Sequence, residues 1–360
     1  MNNGPAIKMQ KEVIIVSGSS GLIGTTLINE LSKEFLVIGL DNIGYPFPPT
    51  TAECVCIDIT SDKSMENAFE RVRYAYGNRI ASVIHLAAYY DFSGKPSPLY
   101  QKITVEGTER LLRILQDFEV EQFIFSSSLL VYSPTTPGNV INEESPLDPK
   151  WDYPQSKVDT EKIMHQNRGD IPVMNLRIAG VYNDEGHSIP ITNHIQRIYE
   201  NKITSHFYPG KFDYGNPYVH LDDLVEAIIK AAKKRTEFKG ETTINLGEPQ
   251  TLSFIELQKE IALLIHDEKW ATYKIPKFVA KSGAWVQDIF GDPFIKPWMV
   301  DLTNDHMEID ISRAKELLDW QPQHSLKSTL PRIIDALKKN PLAWYKENNL
   351  NPPSSIKNKE

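Results

Sequence analysis

Hydrophobic residues in the first third of the chain fall into short runs separated by segments of helical periodicity. Five apolar runs, rich in β-branched residues, predict buried strands at residues 13–16, 36–40, 54–59, 82–86 and from 123. The segments between them repeat apolar residues at helical spacing over residues 22–31, 64–76 and 98–118. Strands that alternate with helices in this way predict an α/β fold with a Rossmann-type, doubly wound parallel sheet.

The pattern loosens after about residue 175. Residues 183–217 contain several glycines and prolines and predict loops, followed by a helix at 222–234 and a strand near Ile244. Helical spacing returns at residues 253–265 and 276–290. These segments predict a smaller, mostly helical C-terminal lobe.

The composition is that of an ordinary globular protein, with 41% hydrophobic and 24% charged residues. A net charge of -8 disfavours nucleic acid and anionic membrane surfaces as partners. No stretch approaches the ~18 apolar residues that cross a bilayer, and residues 1–11 lack the apolar run of a secretory signal. Cys54 and Cys56 are expected to be buried, reduced thiols, so we predict a cytoplasmic protein.

Three glycines follow the first predicted strand and open the first predicted helix. Gly18, Gly21 and Gly24 form a Gly-x-x-Gly-x-x-Gly pattern, a variant of the dinucleotide fingerprint. Glycine lets the backbone turn tightly and approach a pyrophosphate, while the helix N-terminus offers N–H groups to that anion. Such glycines can also mark a simple turn, but their position between strand and helix predicts a dinucleotide site. Its members would be Gly18, Ser20, Gly21, Leu22, Ile23 and Gly24.

Asp41 ends the second predicted strand, 20 residues after Gly21. A carboxylate there can hydrogen-bond the ribose hydroxyls of NAD and would repel the 2′-phosphate of NADP. A turn is the alternative interpretation, because Asn42 follows directly. We predict NAD as the cofactor, with Asp58 and Ile59 as weaker candidates for contacts with its adenine.

A tyrosine and a lysine lie four residues apart at the start of a later predicted helix. Tyr153 and Lys157 would share one helix face, and Pro154 suits the first helical turn. An unperturbed tyrosine, with a pKa of ~10, is a poor base at neutral pH. A neighbouring ammonium group and the positive nicotinamide ring would lower that pKa.

Three serines, residues 126–128, end the fifth predicted strand. This is the edge at which open α/β sheets bind their ligands. A hydroxyl group there can hold a substrate oxygen opposite Tyr153, although it could also satisfy loop backbone groups. The glycines, the serines and the tyrosine in this order predict hydride transfer at a secondary alcohol carbon.

The order of these motifs resembles the extended short-chain dehydrogenase/reductase superfamily, in its NAD-dependent epimerase/dehydratase branch. The resemblance runs from about Val13 to Leu337. Besides the residues already named, it rests on residues 85–88, 105–108, 125–132, 176–177, 219–223, 245–247 and 310–322.

The resemblance implies a role for each catalytic residue. Ser128 would contact the substrate, Tyr153 would be the acid/base, and Lys157 would also hold the nicotinamide ribose. His85 would be structural rather than a metal ligand, and no metal site is expected. The cofactor cleft would be lined by Leu86, Ala87 and Ala88. The resemblance also implies a homodimer formed through the helices at residues 98–118 and 154–165.

Substrate recognition departs from the pattern of this branch. Thr104 and Ala179 stand where relatives often have asparagine, and residues 212–218 lack the arginine that tends to hold a diphosphate. Lys211 or Arg197 could substitute, although a lysine lacks the bidentate fork of an arginine. Candidate substrate contacts are Tyr89, Tyr90, Ser127, Arg177 and Lys211, while Tyr89, Tyr90, Phe92, Phe207 and Tyr208 would suit an apolar ring.

Three functions are compatible with these residues. The first, which we favour because residues 310–322 resemble that branch best, is a nucleotide-sugar epimerase or dehydratase. The second is an alcohol dehydrogenase or ketone reductase that resembles hydroxysteroid dehydrogenases. The third is a non-catalytic NAD sensor or scaffold, which the intact Ser128, Tyr153 and Lys157 disfavour.

The domain boundaries follow from these assignments. Residues 12–178, together with about 218–247, are predicted to form the NAD-binding Rossmann domain. Residues 179–217 and 248–340 are predicted to form the substrate-binding lobe. The polar ends, residues 1–11 and 350–360, are expected to be flexible.

Overall fold

The computed structural model describes residues 11–44, 46–91, 94–280, 300 and 302–357. Seven parallel strands form the central sheet in the order β3-β2-β1-β4-β5-β6-β7. The strands are β1 (Val13–Ser17), β2 (Leu36–Asp41), β3 (Glu53–Cys56), β4 (Ser82–His85), β5 (Phe123–Ser128), β6 (Val173–Ile178) and β7 (Glu241–Leu246). The strand order reverses between β1 and β4, which opens a crevice at their carboxyl ends.

Eleven α-helices are described over their full length. They are α1 (Leu22–Leu31), α2 (Asp62–Tyr76), α3 (Glu106–Leu115), α4 (Asp152–Asn167), α5 (Ile189–Tyr199), α6 (Leu221–Lys233), α7 (Phe254–His266), α8 (Ser312–Leu318), α9 (Leu326–Lys339), α10 (Pro341–Glu347) and α11 (Ser354–Lys357). A π-helix at Tyr100–Val105 leads directly into α3, so the single helix predicted at residues 98–118 is divided. The 3-10 helices are Leu129–Val131, Ile203–His206 and Arg235–Glu237.

Short parallel strand pairs connect the outer parts of the structure. They are Arg79–Ile80 with Glu119–Val120, Val140–Ile141 with Glu308–Ile309, Gly180–Tyr182 with Tyr218–His220, and Phe207–Tyr208 with Tyr273–Lys274. None of the described helices is long and apolar enough to cross a membrane.

The sheet is buried on both faces, which explains why its strands have continuous apolar runs. In β1, Ile14 and Val16 pack in one core cluster, whereas Val13 and Ile15 pack in another. The first cluster takes apolar residues from α1, α6 and α8, and the second takes them from α2 and α3. The helices therefore form a layer on each side of the sheet, as the sequence predicts.

A third core cluster holds the C-terminal lobe together. It joins α5, α7, α9 and α10 through Ile191, Ile195, Leu257, Ile261, Leu330 and Trp344. Helix α5 lies inside residues 183–217, so the stretch predicted to be rich in loops also contains a regular helix that was not predicted. Its turns bury polar as well as apolar residues, which obscures the helical period.

One expectation about the cysteines differs from the structure. Cys54 is buried as predicted, but Cys56 is exposed because it is the last residue of the edge strand β3. The C-terminal end contains α11, and the Leu350 N–H group donates to the carbonyl of Tyr345. Residues 1–10, Phe92 and most of the helix predicted at 276–290 lie outside the described residues.

Candidate active site

The glycine-rich turn between β1 and α1 is held by close backbone contacts. Gly18 has a φ of +73°, and a Cβ atom there would lie 2.7 Å from the Ala87 nitrogen. A Cβ atom on Gly24 would collide with the Gly18 carbonyl oxygen, whereas one on Gly21 would have 3.6 Å to the same oxygen. Gly18 and Gly24 are therefore required by packing, while the exposed Gly21 leaves the start of α1 open.

The start of α1 is suited to an anion. Gly21 is its N-cap residue, no side chain caps the helix, and its first turn contains no acidic residue. The N–H groups of such a turn and the helix dipole favour a phosphate group.

Asp41 is tied to this turn at the end of β2. Its Oδ2 atom accepts from the Ser20 N–H group at 2.9 Å, and its Oδ1 atom accepts from the Asn42 N–H group at 2.7 Å. Asp58 is exposed and accepts from the backbone and side chain of Thr60, which lowers its pKa. The hydrogen bond from the Ser20 N–H group shows that Asp41 also positions the glycine-rich turn, which was not predicted from the sequence.

His85 lies beneath the crevice and holds three elements together. Its Nδ1 atom is 2.5 Å from Ser17 Oγ, and its Nε2 atom is 2.9 Å from Thr108 Oγ1. Burial, followed by the charge of Lys157, lowers its pKa to about 3, so the ring is neutral at physiological pH. Both ring nitrogens are occupied, which supports the structural role expected for His85.

The three serines at the end of β5 point to different partners. Ser126 donates to the His85 carbonyl at 3.1 Å, and Ser127 donates to Glu161 at 2.6 Å. Ser128 accepts from the Leu130 N–H group at 3.2 Å, and its hydroxyl acts to lower the pKa of Tyr153. The third serine is thus the one placed against the tyrosine.

Tyr153 and Lys157 lie one turn apart on α4. The Lys157 Nζ atom donates to the Ser126 carbonyl at 2.7 Å and lies 5.8 Å from the centre of the Tyr153 ring. Burial lowers the pKa of Lys157 to about 7, against the opposing charge of Glu161.

Burial also raises the pKa of Tyr153 to about 12, although its hydrogen bond to Ser128 acts in the opposite direction. Burial is the larger influence on this pKa, because the loss of hydration outweighs nearby polar groups. The lowering expected from Lys157 together with the positive nicotinamide ring stays a prediction.

Arg177 lies below the site rather than in its lining. Its Nε and Nη2 atoms donate to the two oxygens of Glu161 at 3.1 and 2.7 Å. Its Nη1 atom donates to Tyr132 Oη at 2.7 Å and to the Glu143 carbonyl at 3.2 Å. These bonds occupy the guanidinium group, so the structure contradicts the prediction that Arg177 contacts substrate.

A cavity of about 800 Å³ lies at this edge of the sheet. Ser128, Tyr153 and Lys157 line one end of it, together with Leu86 and Ala88. Most of the remaining wall is apolar and comes from the C-terminal lobe, including Ile189, Phe207, Tyr208, Phe254, Leu257 and Met307.

The other candidate substrate residues divide into two groups. Tyr90 and Ser127 line the cavity, and the Tyr90 ring packs edge-on against Tyr153 with 5.0 Å between ring centres. Tyr89 packs on Tyr100 instead, and Lys211 is exposed and donates to Tyr214 Oη at 2.6 Å. Neither Tyr89 nor Lys211 belongs to the cavity lining, which overturns both predictions.

Sequence reasoning missed several residues of the lining, among them Trp151, His187, His194, Tyr214 and Asp305. They come from loops and from α5, where no motif or regular period marks them. Arg197, named above as one possible replacement for a missing arginine, also lines the cavity.

His220, Asp222 and His324 bring potential metal-ligand atoms within 4.8 Å of one another. The two imidazole rings are stacked, with 4.1 Å between centres and 22° between planes. Nitrogen lone pairs lie in the ring plane, so stacked rings do not direct them at one ion. His324 Nδ1 is moreover 3.0 Å from Asp223, so this group stabilises the junction of the lobes.

Comparison with known proteins identifies the group of enzymes. The model of the NAD dependent epimerase/dehydratase family matches residues 14–247. The chain belongs to this family. It is therefore an NAD-dependent enzyme of the extended short-chain dehydrogenase/reductase superfamily. The third alternative, a non-catalytic sensor or scaffold, is set aside.

Individual relatives span nearly the whole chain. A UDP-glucose 4-epimerase of Lactobacillus helveticus is 27% identical over 86% of this chain and 92% of its own length. A decarboxylating sterol-4-alpha-carboxylate 3-dehydrogenase of Candida albicans is 20% identical over 89% of this chain and 96% of its own. The structure of Bacillus cereus UDP-glucuronic acid 4-epimerase with UDP-glucuronic acid and NAD has a TM-score of 0.68. It is 21% identical and covers 91% of this chain and 99% of that one.

The residues at the crevice fit the NAD that the family uses. The uncapped start of α1 accommodates a pyrophosphate, the close packing of Gly18 and Gly24 shapes the turn, and Asp41 provides a carboxylate at the end of β2.

Proposed function

We propose that Ser128, Tyr153 and Lys157 catalyse reversible oxidation at a secondary alcohol carbon. The observation that carries this assignment is that Ser128, Tyr153 and Lys157 line one cavity at the carboxyl edge of the sheet, beside the crevice between β1 and β4. NAD, when bound, supplies the hydride acceptor and donor. Cofactor binding is assigned to residues 18–24, Asp41, Asp58, Ile59 and 86–88, with Lys157 on the nicotinamide ribose.

Each catalytic residue has a separate task in this proposal. Ser128 orients the substrate oxygen by a hydrogen bond. The Tyr153 oxygen takes the alcohol proton during oxidation and returns it during reduction, which is general acid/base catalysis. Lys157, fixed by the Ser126 carbonyl, adds positive charge beside the phenol and lowers the cost of its ionised form.

We propose a nucleotide-sugar epimerase or dehydratase as the first candidate activity. The similarity to the UDP-glucose and UDP-glucuronic acid 4-epimerases supports it, because this chain matches more than nine tenths of the length of each. In such a reaction the hydride removed from a sugar carbon is returned within the same turnover, so no free NADH accumulates.

The second candidate is a dehydrogenase for an apolar ring alcohol. The specific observation in its favour is the apolar wall of the cavity, where Phe207, Tyr208 and Phe254 replace the polar groups expected around a sugar. The sterol-4-alpha-carboxylate dehydrogenase among the relatives supports the same idea. This activity would release NADH.

One pair of measurements separates the candidates. The first measurement is the melting temperature of the purified protein with NAD and either UDP or a hydroxysteroid. The second is the absorbance of NADH formed when NAD and either UDP-glucose or the hydroxysteroid are added. Thermal protection by UDP with no net NADH supports the epimerase or dehydratase. NADH formed from the hydroxysteroid, without protection by UDP, overturns it in favour of the second candidate.

We further propose that the protein is a homodimer joined through α3 and α4. Ile103, Ile114 and Ile163 remain partly exposed on this side, which supports a second copy as the covering surface. Sedimentation of wild type and of Ile163→Glu tests the proposal, because the charge should convert a dimer into a monomer.

We also propose the division of labour predicted from the sequence. Residues 12–178 and 218–247 would bind NAD, and residues 179–217 and 248–340 would bind substrate. The free thiols Cys54 and Cys56 support a reducing, cytoplasmic location.

A further inference from the structure

Arg197 carries a charge that no described residue balances. It lies on α5 and lines the apolar cavity. One terminal nitrogen donates to the Thr204 carbonyl, but the buried Nε atom has no hydrogen-bond partner among the described residues. Burial alone accounts for the lowering of its pKa to about 10.

Two other titratable groups that line the cavity do not provide the missing negative charge. His194, on the same helix, has its pKa lowered to about 4 by burial and by the Arg197 charge, so it is neutral. Asp305 also lines the cavity, but the charges that act on it are those of Lys150, Lys277 and Asp148.

A buried cation without a counter-ion is costly, and a fold gains nothing from it unless a ligand supplies the anion. From the position of Arg197 in the cavity and its unpaired Nε atom, we infer that it binds an oxyanion of the substrate, either a carboxylate or a phosphate. The inference rests on the proposed function, because it takes the cavity to be the substrate site.

Within the described part of the chain, three other basic side chains near the cavity are engaged elsewhere. Lys150 pairs with Asp148, and Lys157 donates to the Ser126 carbonyl beside the reacting centre. Lys211 is exposed and bonded to Tyr214. Arg197, by contrast, has an N–H donor without a partner, and its planar guanidinium group can bind two oxygens of one carboxylate or phosphate. The substrate class is a molecule with an anionic group at one end and a body that packs on apolar walls.

Binding of defined probes tests this inference. Wild type, Arg197→Gln, Arg197→Lys and the control Lys211→Gln are saturated with NAD. Each is then titrated calorimetrically with UDP, with deoxycholate as an apolar carboxylate, and with testosterone as an uncharged steroid. We expect UDP or deoxycholate to bind the wild type. Its affinity should fall about ten- to a hundredfold in Arg197→Gln, as for loss of a charged hydrogen bond.

The remaining variants give the inference its controls. Arg197→Lys should bind the anionic probe with intermediate affinity, because the charge remains without the fork. Lys211→Gln should bind the anionic probe with the affinity of the wild type. The affinity for testosterone should be the same in all of these proteins. A UDP response identifies a phosphate as the anchored group, and a deoxycholate response identifies a carboxylate.

Two results would overturn the inference. One is binding of neither anion to the wild type, and the other is equal affinity of wild type and Arg197→Gln. NAD affinity, measured in the same proteins, should be unchanged by every substitution. Failure of the wild type to bind NAD would instead refute the proposed function, so the two failures are distinguishable.

Discussion

Glu161 and Arg177 form a bidentate ion pair beneath the catalytic edge, with N–O distances of 3.1 and 2.7 Å. Both side chains are largely buried. Glu161 also accepts the hydroxyl of Ser127 at 2.6 Å and lies one turn after Lys157, so the pair connects β5, β6 and α4. Lys157 lies on the same helix, so we expect its position to depend on this connection.

We therefore expect Glu161→Gln to destabilise the protein by about 3–5 kcal/mol, because it leaves a buried arginine without its counter-ion. Chemical denaturation measures the change in the free energy of unfolding. Glu144→Gln is the control, since Glu144 pairs with Arg313 on the surface, where ion pairs contribute little. Equal denaturation midpoints for the two variants would show that the buried ion pair stabilises the protein no more than the surface pair.

Tyr153→Phe should lower turnover by about 10²–10⁴-fold, the usual contribution of positioned proton transfer. The melting temperature and NAD affinity should stay near those of the wild type, because the change deletes one hydroxyl group. Tyr89→Phe is a matched control, since Tyr89 lies outside the cavity lining. Steady-state kinetics that show normal turnover for Tyr153→Phe would remove the tyrosine from the mechanism.

Lys157 should make stability depend on pH. Its pKa falls from 10.5 to about 7 on folding, so the unfolded chain binds more protons between these values. The free energy of unfolding of the wild type should then rise as the pH increases from 7 to 9. Lys157→Met should lack this part of the rise and should also bind NAD more weakly. Chemical denaturation of both proteins at several pH values tests this. If their free energies of unfolding changed with pH in the same way, the burial assigned to Lys157 would be contradicted.

Asp41 should determine the preference for NAD. Asp41→Ser should bind NADP better relative to NAD, because the repelling charge is absent, but it also removes the acceptor for the Ser20 N–H group. Asp41→Asn retains an acceptor oxygen without the charge, so it should change the preference with less loss of total affinity. Titrations with both cofactors test this, and a wild type that already prefers NADP would refute the assignment.

Substitution of Gly24 and of Gly21 should have different effects. Gly24→Ala should cost about 1–3 kcal/mol of stability, as an overpacked site does, because its Cβ atom would meet the Gly18 carbonyl. Gly21→Ala should melt like the wild type yet bind NAD less tightly, since its Cβ atom would occupy the approach to α1. Thermal melts and NAD titrations distinguish these effects. Loss of stability in both variants would mean that the turn is rigid throughout.

The sheet could be predicted because its signals are local. The strand predicted at residues 36–40 is β2, which extends one residue further to Asp41, and the glycine spacing located the turn before α1. Helix α5 could not be found in this way. It begins with Pro190 in its first turn and buries Asn193 and Gln196 as well as isoleucines, so its polar residues do not mark a solvent-facing side.

The candidate site was predictable only in its motif residues. Ser128, Tyr153 and Lys157 were named from their order in the chain, and their roles remain predictions. Arg177 was misassigned because its partner Glu161 is 16 residues away, and an arginine near a strand end offers no sign that it is already paired. The shift of the Tyr153 pKa depends on the balance of burial and charge, which the spacing to Lys157 does not reveal.

Most of the apolar wall, and Arg197, come from chain segments after residue 179, whereas the groups proposed to be catalytic belong to β5 and α4. Mutations in the wall can therefore accumulate without touching the groups that move protons. Evolution could exchange one substrate for another by changing the later segments alone. Sequence similarity in the first half of such chains therefore reflects the reaction chemistry that they share. A similarity confined to that half does not justify transferring the substrate of one family member to another.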